Sequence, residues 1–590
     1  SPMQHATTYT VTANNVEDCI GNALTGATKT FTYYETQPAS RYDIILNEIF
    51  PDTDPTVGLP RKEFIELYNR SNKYINLAYY TIEDAAGGVG VLPNYVLAPN
   101  AYLVLCSSDD TIGFSQFGNF LFVDGFPDLN VSSETLTLRD NISRVIDAVA
   151  YTPDWFGNSS KSEGGWTLER INYNKPCDGQ SNWAASNNML GGTPCQPNST
   201  LQTSADAQSP DAIRAYPTTA NTVTVYFSEA LTPSLSNNPA SYSIDNGINI
   251  VAATTLEPFF NTVELTLDAP LQPSVTYTVT IANTFSDCVG NTISQMNTVR
   301  VALPQLATTN DVIINEVLFN PVTGGSDFVE LYNRSSKPID VQTFIFANAD
   351  ASGNISQTKT VGTPYILFPQ EFVVVTPSVI NTKQQYNVSQ SYKFIQNDLP
   401  TYDDASGTVW IYSTASGAAV DMDKFIYNKS YHHPLLTSEE GVSLERISYE
   451  GGTNDPNNWH SAASNVQYGT PTYVNSSYMG NATASDAAIN LPTDKLSPDN
   501  DGFQDFLLIN YNVDKLGYVA RVTIYDASGR VIRNLTDAEL FALEGSLQWD
   551  GTDNDGKKAF TGIYVIYIEL VNPDSTIKSF KKTCVVASKL

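Results

Sequence analysis

The sequence predicts an all-β chain of several sandwich domains in series, on three observations: composition, an internal repeat of a whole module, and alternating apolar runs closed by turn-forming residues. The 33 Tyr and 26 Phe bring aromatic residues to 11%, and with abundant Val, Ile and Thr they suit a pleated, half-buried surface. With 41% apolar residues the chain has enough to bury against itself, which excludes disorder. At 590 residues it is several times longer than one compact domain, so three to five domains follow.

Charge narrows the function classes. Asp and Glu number 62 against 32 Lys and Arg, a net charge of −30. Phosphate binding needs clustered cations that release counterions, so nucleic acid is excluded as a partner. No window reaches the roughly 20 apolar residues that span a bilayer, so no transmembrane segment is expected. The opening Ser-Pro-Met-Gln-His lacks a leader pattern, and the chain reads as mature or trimmed.

The repeat sets the order of the elements. Residues 1–38 carry Tyr9-Thr10-Val11-Thr12 and then Asp18-Cys19-Ile20-Gly21-Asn22, words that return as Tyr277-Thr278-Val279-Thr280 and Asp287-Cys288-Val289-Gly290-Asn291. Two strands cannot close a sandwich, so 1–38 reads as the C-terminal fragment of a domain whose complete copy is 201–305. Residues 39–200 open on Ile45-Leu46-Asn47-Glu48-Ile49 and continue with Phe64-Ile65-Glu66-Leu67-Tyr68-Asn69-Arg70. Thr167-Leu168-Glu169-Arg170, Asn182-Trp183 and Gly192-Thr193-Pro194 close the module. Residues 306–478 repeat it through Ile313-Ile314-Asn315-Glu316-Val317, Phe328-Val329-Glu330-Leu331-Tyr332-Asn333-Arg334, Ser443-Leu444-Glu445-Arg446, Asn458-Trp459 and Gly469-Thr470-Pro471. Residues 479–590 carry Ser497-Pro498-Asp499-Asn500-Asp501-Gly502, a strand Ala520–Tyr525, Trp549-Asp550-Gly551 and Gly562-Ile563-Tyr564-Val565.

On those words, 39–200 and 306–478 resemble lamin-tail domains, an Ig-type sandwich, and 201–305 resembles a bacterial Ig-like domain. The C-terminal 479–590 resembles the flagellar hook-capping Ig-like fold. It is also similar to the C-terminal sorting domains of Bacteroidota type IX secretion cargo, which end in a Gly-x-Tyr strand and a basic strand such as Lys578-Ser579-Phe580-Lys581-Lys582. The fold expectation is therefore tandem Ig-like β-sandwiches, arranged as beads on a string.

The chemistry-bearing residues read mainly as structure. Glu48, Glu66, Glu316 and Glu330 are paired carboxylates on strands, formally suited to acid-base work. Their recurrence beside Arg70, Arg334, Arg170 and Arg446 points instead to carboxylate–guanidinium pairs that stitch the sandwich, with Trp183 and Trp459 as structural anchors. Only four His are present, too few to build on for a Ser-His-Asp hydrolase. Asp499, Asp501 and Asp505 around Gly502, and Asp550, Asp553 and Asp555 in a second Asp-rich loop, offer hard oxygen ligands for calcium. Asp-Gly and Asn-Asp also simply build turns. Cys177 and Cys195 flank the Asn182-Trp183 segment and are expected to form a local disulfide, whereas Cys19, Cys288 and Cys584 read as small buried side chains.

The function expected is a non-catalytic secreted protein of the bacterial cell surface, associated with the outer membrane and serving adhesion or scaffolding. The sorting resemblance implies as partners the shuttle barrel and translocon of type IX secretion; a surface glycan or protein is a further candidate ligand. Two alternatives stand beside it: the spacer region of a larger secreted enzyme such as a nuclease or phosphatase, and a carbohydrate-binding module array.

Overall fold

The computed structural model describes residues 2–14, 16–24, 26–107, 114–158, 160–293, 295–480, 487–499 and 504–587. Among these, strands dominate, arranged as tandem β-sandwiches. No helix of the described residues is long and apolar enough to cross a membrane. The chain divides into two compact units, Ser1–Pro270 with Tyr277–Arg300, and Leu271–Thr276 with Val301–Leu590.

The first unit opens with an antiparallel hairpin of Thr7–Ala13 and Ala27–Tyr33. Its faces are largely open, with Val11 and Phe31 exposed, and Tyr34 stacks on Tyr74 at 4.2 Å between ring centroids. Cys19 is exposed here, which corrects the expectation of a buried side chain: its turn lies between the short paired strands Val16–Glu17 and Ala23–Leu24, whose residues are exposed.

The lamin-tail-like module follows as a six-stranded sheet in the order Phe120–Val123, Tyr102–Ser107, Phe64–Asn69, Ile44–Phe50, Leu168–Arg170, Trp183–Ala185. A four-stranded sheet of Val145–Tyr151, Glu134–Arg139, Thr81–Glu83 and Val89–Val91 accompanies it. Ile44, Leu46, Ile65, Leu67, Leu103, Leu136 and Val149 form the core. The strand Ile44–Phe50 is buried along its whole length, because its second face is also covered, partly by Leu59, Phe64, Val104 and Phe114 packed on Phe50. A strand buried on both faces has no solvent to hydrate its polar side chains, so each must find a protein partner.

The Ig-like module of this unit sets a four-stranded sheet, Ala212–Thr219, Thr222–Phe227, Thr262–Leu267 and Ile250–Thr255, beside a three-stranded one. Alternate burial along Thr262–Leu267 matches the period-2 pattern of the sequence, while Thr222–Phe227 buries Thr224 as well as its apolar face.

In the second unit the module recurs with the same order: Phe394–Gln396, Phe372–Thr376, Phe328–Asn333, Val312–Leu318, Leu444–Arg446, Trp459–Ser461. The C-terminal module has a three-stranded sheet of Ala488–Asn490, Leu507–Asn512 and Glu544–Trp549. Its second sheet has five strands, in which Gly562–Val571 lies between Val519–Asp526 and the final strand Ile577–Val586. Trp549, Ile524, Ile566 and Cys584 are buried between them. His433 lies against this module, its Nε2 3.1 Å from the Gly517 carbonyl, while His432 stays within the lamin-tail-like module, its Nδ1 2.9 Å from Ser461 Oγ. Burial pulls both imidazoles down to about 4.

Candidate functional site

A buried constellation of carboxyl groups is built twice, once in each lamin-tail-like module. A β-bulge shifts the register between Leu46 and Glu48, and the same shift separates Ile314 from Glu316. The extra residue, Asn47 or Asn315, thereby leaves the ladder and turns its amide into the second face. Asn47 Nδ2 donates to Glu66 Oε1 at 2.9 Å and to Asn198 Oδ1 at 2.7 Å. Asn315 Nδ2 donates to Glu330 Oε1 at 2.8 Å and to Asn475 Oδ1 at 2.7 Å.

The ladder sets Glu48 opposite both Glu66 and Glu169, and Glu316 opposite both Glu330 and Glu445. All six are buried. Like charges opposite one another in a dry sheet are unfavourable, and the closing segment supplies the compensation. Glu48 Oε1 accepts from Thr167 Oγ1 at 2.6 Å and from the Thr193 N–H at 2.7 Å. Glu66 Oε2 accepts from the Cys195 N–H at 2.5 Å, and Glu169 Oε2 from Ser199 Oγ at 2.8 Å and the Thr200 N–H at 2.9 Å. In the second copy Ser443, Thr470, Thr472, Ser476 and Ser477 fill the same places. Burial, reinforced by the neighbouring carboxylate, pushes Glu48 and Glu316 up to about 8 and Glu66 and Glu330 well above the usual carboxylate range. At neutral pH each box therefore holds protons and its members share hydrogen bonds. Sealed from solvent, these carboxyls tie the closing segment to the sheet.

The expected ion pairs exist with other partners. Glu66 meets Asn47 and Cys195 rather than a guanidinium, and Arg70 donates to the Tyr42 carbonyl at 3.4 Å. Arg334 donates to the carbonyls of Asn310 at 2.8 Å and Tyr449 at 2.7 Å, and lies 3.5 Å from the exposed Glu450. The buried pairs are Arg170 with Asp147 at 2.7 Å and Arg446 with Asp423 at 2.8 Å. Each guanidinium also donates through Nε to the carbonyl just before the bulge, Leu46 or Ile314. Each lies over the ring of Trp183 or Trp459, at 4.8 Å and 5.0 Å. Adjacency in sequence suggested the glutamates. The strands run Arg170 and Arg446 toward the facing sheet, where the aspartates stand. The signal was present: Asp147 to Asp423 and Arg170 to Arg446 span the same number of residues.

The disulfide is also placed differently. Cys177 bonds Cys288, with Cα atoms 5.8 Å apart and a sequence separation of 111. Cys195, the expected partner, is a free thiol. Its N–H is held by Glu66, its Sγ donates to the Asn119 carbonyl at 3.1 Å, and burial pushes the thiol up to about 12. Cys288 is thus a bonded residue rather than a simple buried one, and the bridge staples the first lamin-tail-like module to the Ig-like module beside it. A cavity of about 230 Å³ adjoins the staple, lined among others by Trp155, Arg170, Trp183, Asp178 and Glu229.

The Asp-rich loops use their carboxylates locally. Asp550 Oδ1 accepts from the N–H and hydroxyl of Thr552, and Asp553 Oδ1 from the N–H groups of Asp555 and Lys557. Asp555 pairs loosely with Lys557 at 3.8 Å, both exposed. Asp499 and Asp505 flank a stretch in which Asp501 lies outside the described residues.

Residues 37–153 and 305–428 match the family model of the Lamin Tail Domain, residues 204–302 that of a bacterial Ig-like domain, and residues 507–574 that of the FlgD Ig-like domain. The lamin-tail, bacterial Ig-like and hook-capping Ig-like resemblances are borne out for those segments. No curated protein matches the chain. Among solved structures, the chain is similar to the N-terminal part of the bacterial S-layer protein SbsC, at 16% identity and a TM-score of 0.16, over 38% of this chain and 44% of that one. This chain therefore spans less than half the length of that structure. It is similar to a Ca²⁺-stabilized, ice-binding adhesin of an Antarctic bacterium at 11% identity and a TM-score of 0.13, over 94% and 100% of the two chains. A DUF4876 family protein from Bacteroides thetaiotaomicron has 15% identity and a TM-score of 0.18, over 36% and 86%.

Proposed function

We propose that this chain is a non-catalytic scaffold or adhesive stalk of a bacterial cell surface, exported as type IX secretion cargo through its C-terminal Ig-like module. The observation that carries the reading is the staple between Cys177 and Cys288. A disulfide joining two modules persists in oxidising compartments outside the cytoplasm, and its mechanical effect is to fix one β module on the next. The carboxylate boxes support the same reading. Their acids are consumed by hydrogen bonds within a sealed sheet, an arrangement that rigidifies a module and gives substrate no approach.

The C-terminal module would contact the export machinery as cargo contacts a machine, through strand edges and loops. Its final strand Ile577–Val586 presents exposed Ile577 and Val585 along with Lys581 and Lys582. The test is export in the native host. Removing residues 479–590 should abolish accessibility of the chain to protease added to intact cells, and fusing 479–590 to a periplasmic reporter should bring that reporter to the surface. Surface accessibility that survives the deletion, together with a reporter that stays inside, would overturn the proposal.

A further inference from the structure

Beside the staple, the first unit gathers more negative charge than its neighbours neutralise. One carboxylate oxygen from each of Asp206, Glu229 and Asp287 lies within 4.8 Å of the others and of the Cys177 sulfur. The sulfur is committed to the disulfide, so the available donors are all hard oxygens. Burial raises the Glu229 carboxyl, and the nearby charges of Asp287, Asp178 and Asp206 add to the rise. Lys175 reaches Asp178 only at 4.0 Å and Asp206 at 3.9 Å.

Glu229 is the informative member. Its residue is 4% exposed, both carboxylate oxygens are buried, and neither has a hydrogen-bond partner among the described residues; Asp206 Oδ2 is likewise buried and unpartnered among them. A buried carboxylate with no donor is strongly unfavourable in a folded protein unless it takes a proton or a cation. The contrast within the cluster is sharp. Asp287 spends its oxygens on the turn it closes, accepting from the N–H groups of Val289, Gly290 and Asn291 through Oδ1 and from the Asn291 side chain through Oδ2. Glu229 has no such task, yet it lines the cavity beside the staple.

We propose that Glu229, Asp206 and Asp287 form a calcium site at the junction of the first lamin-tail and Ig-like modules. The spacing suits that ion: Ca²⁺–oxygen distances of about 2.3–2.6 Å place ligands on opposite sides of the ion roughly 5 Å apart, and the site takes its remaining ligands from water or backbone carbonyls. The cavity gives room for such waters. The three residues come from the linker after the lamin-tail module, the strand-end word Phe227-Ser228-Glu229 and the Asp287 turn. The ion would therefore pin the same junction that the disulfide staples.

The experiment uses the full oxidised chain, stripped with chelator and titrated with CaCl₂ by calorimetry. Tb³⁺ luminescence excited through tryptophan gives a local readout, since Trp155 and Trp183 line the cavity. The Asp-rich loops of the C-terminal module are silenced in the background by Asp501→Asn and Asp553→Asn. In that background the parent should bind one Ca²⁺ with a dissociation constant on the order of 1 mM or tighter, the range of extracellular modules, and give sensitised emission. Glu229→Gln should lose the bound equivalent and the emission; Asp206→Asn should weaken both and serves if the first variant fails to fold. A parent that takes up no Ca²⁺ at several times that concentration, or variants that keep its stoichiometry and emission, would overturn the proposal and leave Glu229 a buried neutral acid.

Discussion

Replacing Arg446 by Met tests what holds the two sheets of a lamin-tail-like module in register. The guanidinium donates to the Ile314 carbonyl at 2.6 Å, to Asp423 at 2.8 Å, to Thr453 Oγ1 at 2.8 Å and to the Gly451 carbonyl at 3.2 Å. Methionine fills much of the volume over Trp459 and makes none of these bonds. Asp423 would be left as a buried carboxylate bound only by the N–H groups of Ile314 and Lys424 and the Thr453 hydroxyl. Breaking one side of such a pair costs about 3–5 kcal/mol. For a module of this size that lowers the melting temperature by roughly 6–20 °C, at about 2–4 °C per kcal/mol. Adding Asp423→Asn removes the stranded charge while its amide oxygen still accepts from Ile314, so the double variant should regain the larger part. A residual deficit of about 1–3 kcal/mol is expected for the unmet carbonyl of Ile314. Scanning calorimetry of the full chain reads both, and Arg170→Met should produce the same loss in the other unit. A single variant that melts within about 1 kcal/mol of the parent, the value of a surface pair, would refute the reasoning. So would a double variant no better than the single.

Three further outcomes follow from the same geometry. The carboxyls of Glu48 and Glu316 are raised from an ordinary 4.5 to about 8, so the folded chain binds more protons than the unfolded chain across that window. Its stability should fall as pH rises from 4.5 through 8, and Glu48→Gln with Glu316→Gln, which mimic the protonated acids, should flatten the dependence; melts at pH 5, 7 and 9 check both. Gly192→Ala should destabilise the first module by about 1–3 kcal/mol, because a Cβ there would lie 2.7 Å from Glu48 Oε1 and from Thr167 Cγ2. Cys288→Ser should leave both modules folded and speed hydrogen exchange at Pro176–Asp178 and Asp287–Asn291, measured by mass spectrometry.

The sandwiches were legible because their strands are words repeated in order, and alternation along Thr262–Leu267 states which face is buried. The bulge was not. Ile45-Leu46-Asn47-Glu48 reads as a regular strand, and only the pairing of Leu46 with Leu67 but Glu48 with Glu66 reveals the extra residue. Partners were harder than positions. Glu66 and Glu330 spend their oxygens on amides and backbone N–H groups, and the arginines in buried ion pairs are Arg170 and Arg446, not Arg70 and Arg334. Asp147 and Asp423 sit in strands with little shared wording, so a search for words passed over them although their spacing repeats. The disulfide failed for a related reason. Chain proximity favoured Cys195, whereas contact between two modules brings Cys177 to Cys288, and that contact leaves no periodic trace. The junction acids Asp206, Glu229 and Asp287 were equally invisible, being scattered over three loops.

Surface display and the staple between modules, both part of the proposed function, can be read in one measurement. Intact native cells should be labelled with a membrane-impermeant amine reagent, and the recovered protein digested without reduction and mapped by mass spectrometry. The prediction is a protein labelled before lysis that yields a cross-linked peptide joining Cys177 to Cys288 with Cys195 as a free thiol. A protein labelled only after lysis, with Cys177 and Cys288 both reduced, would contradict it.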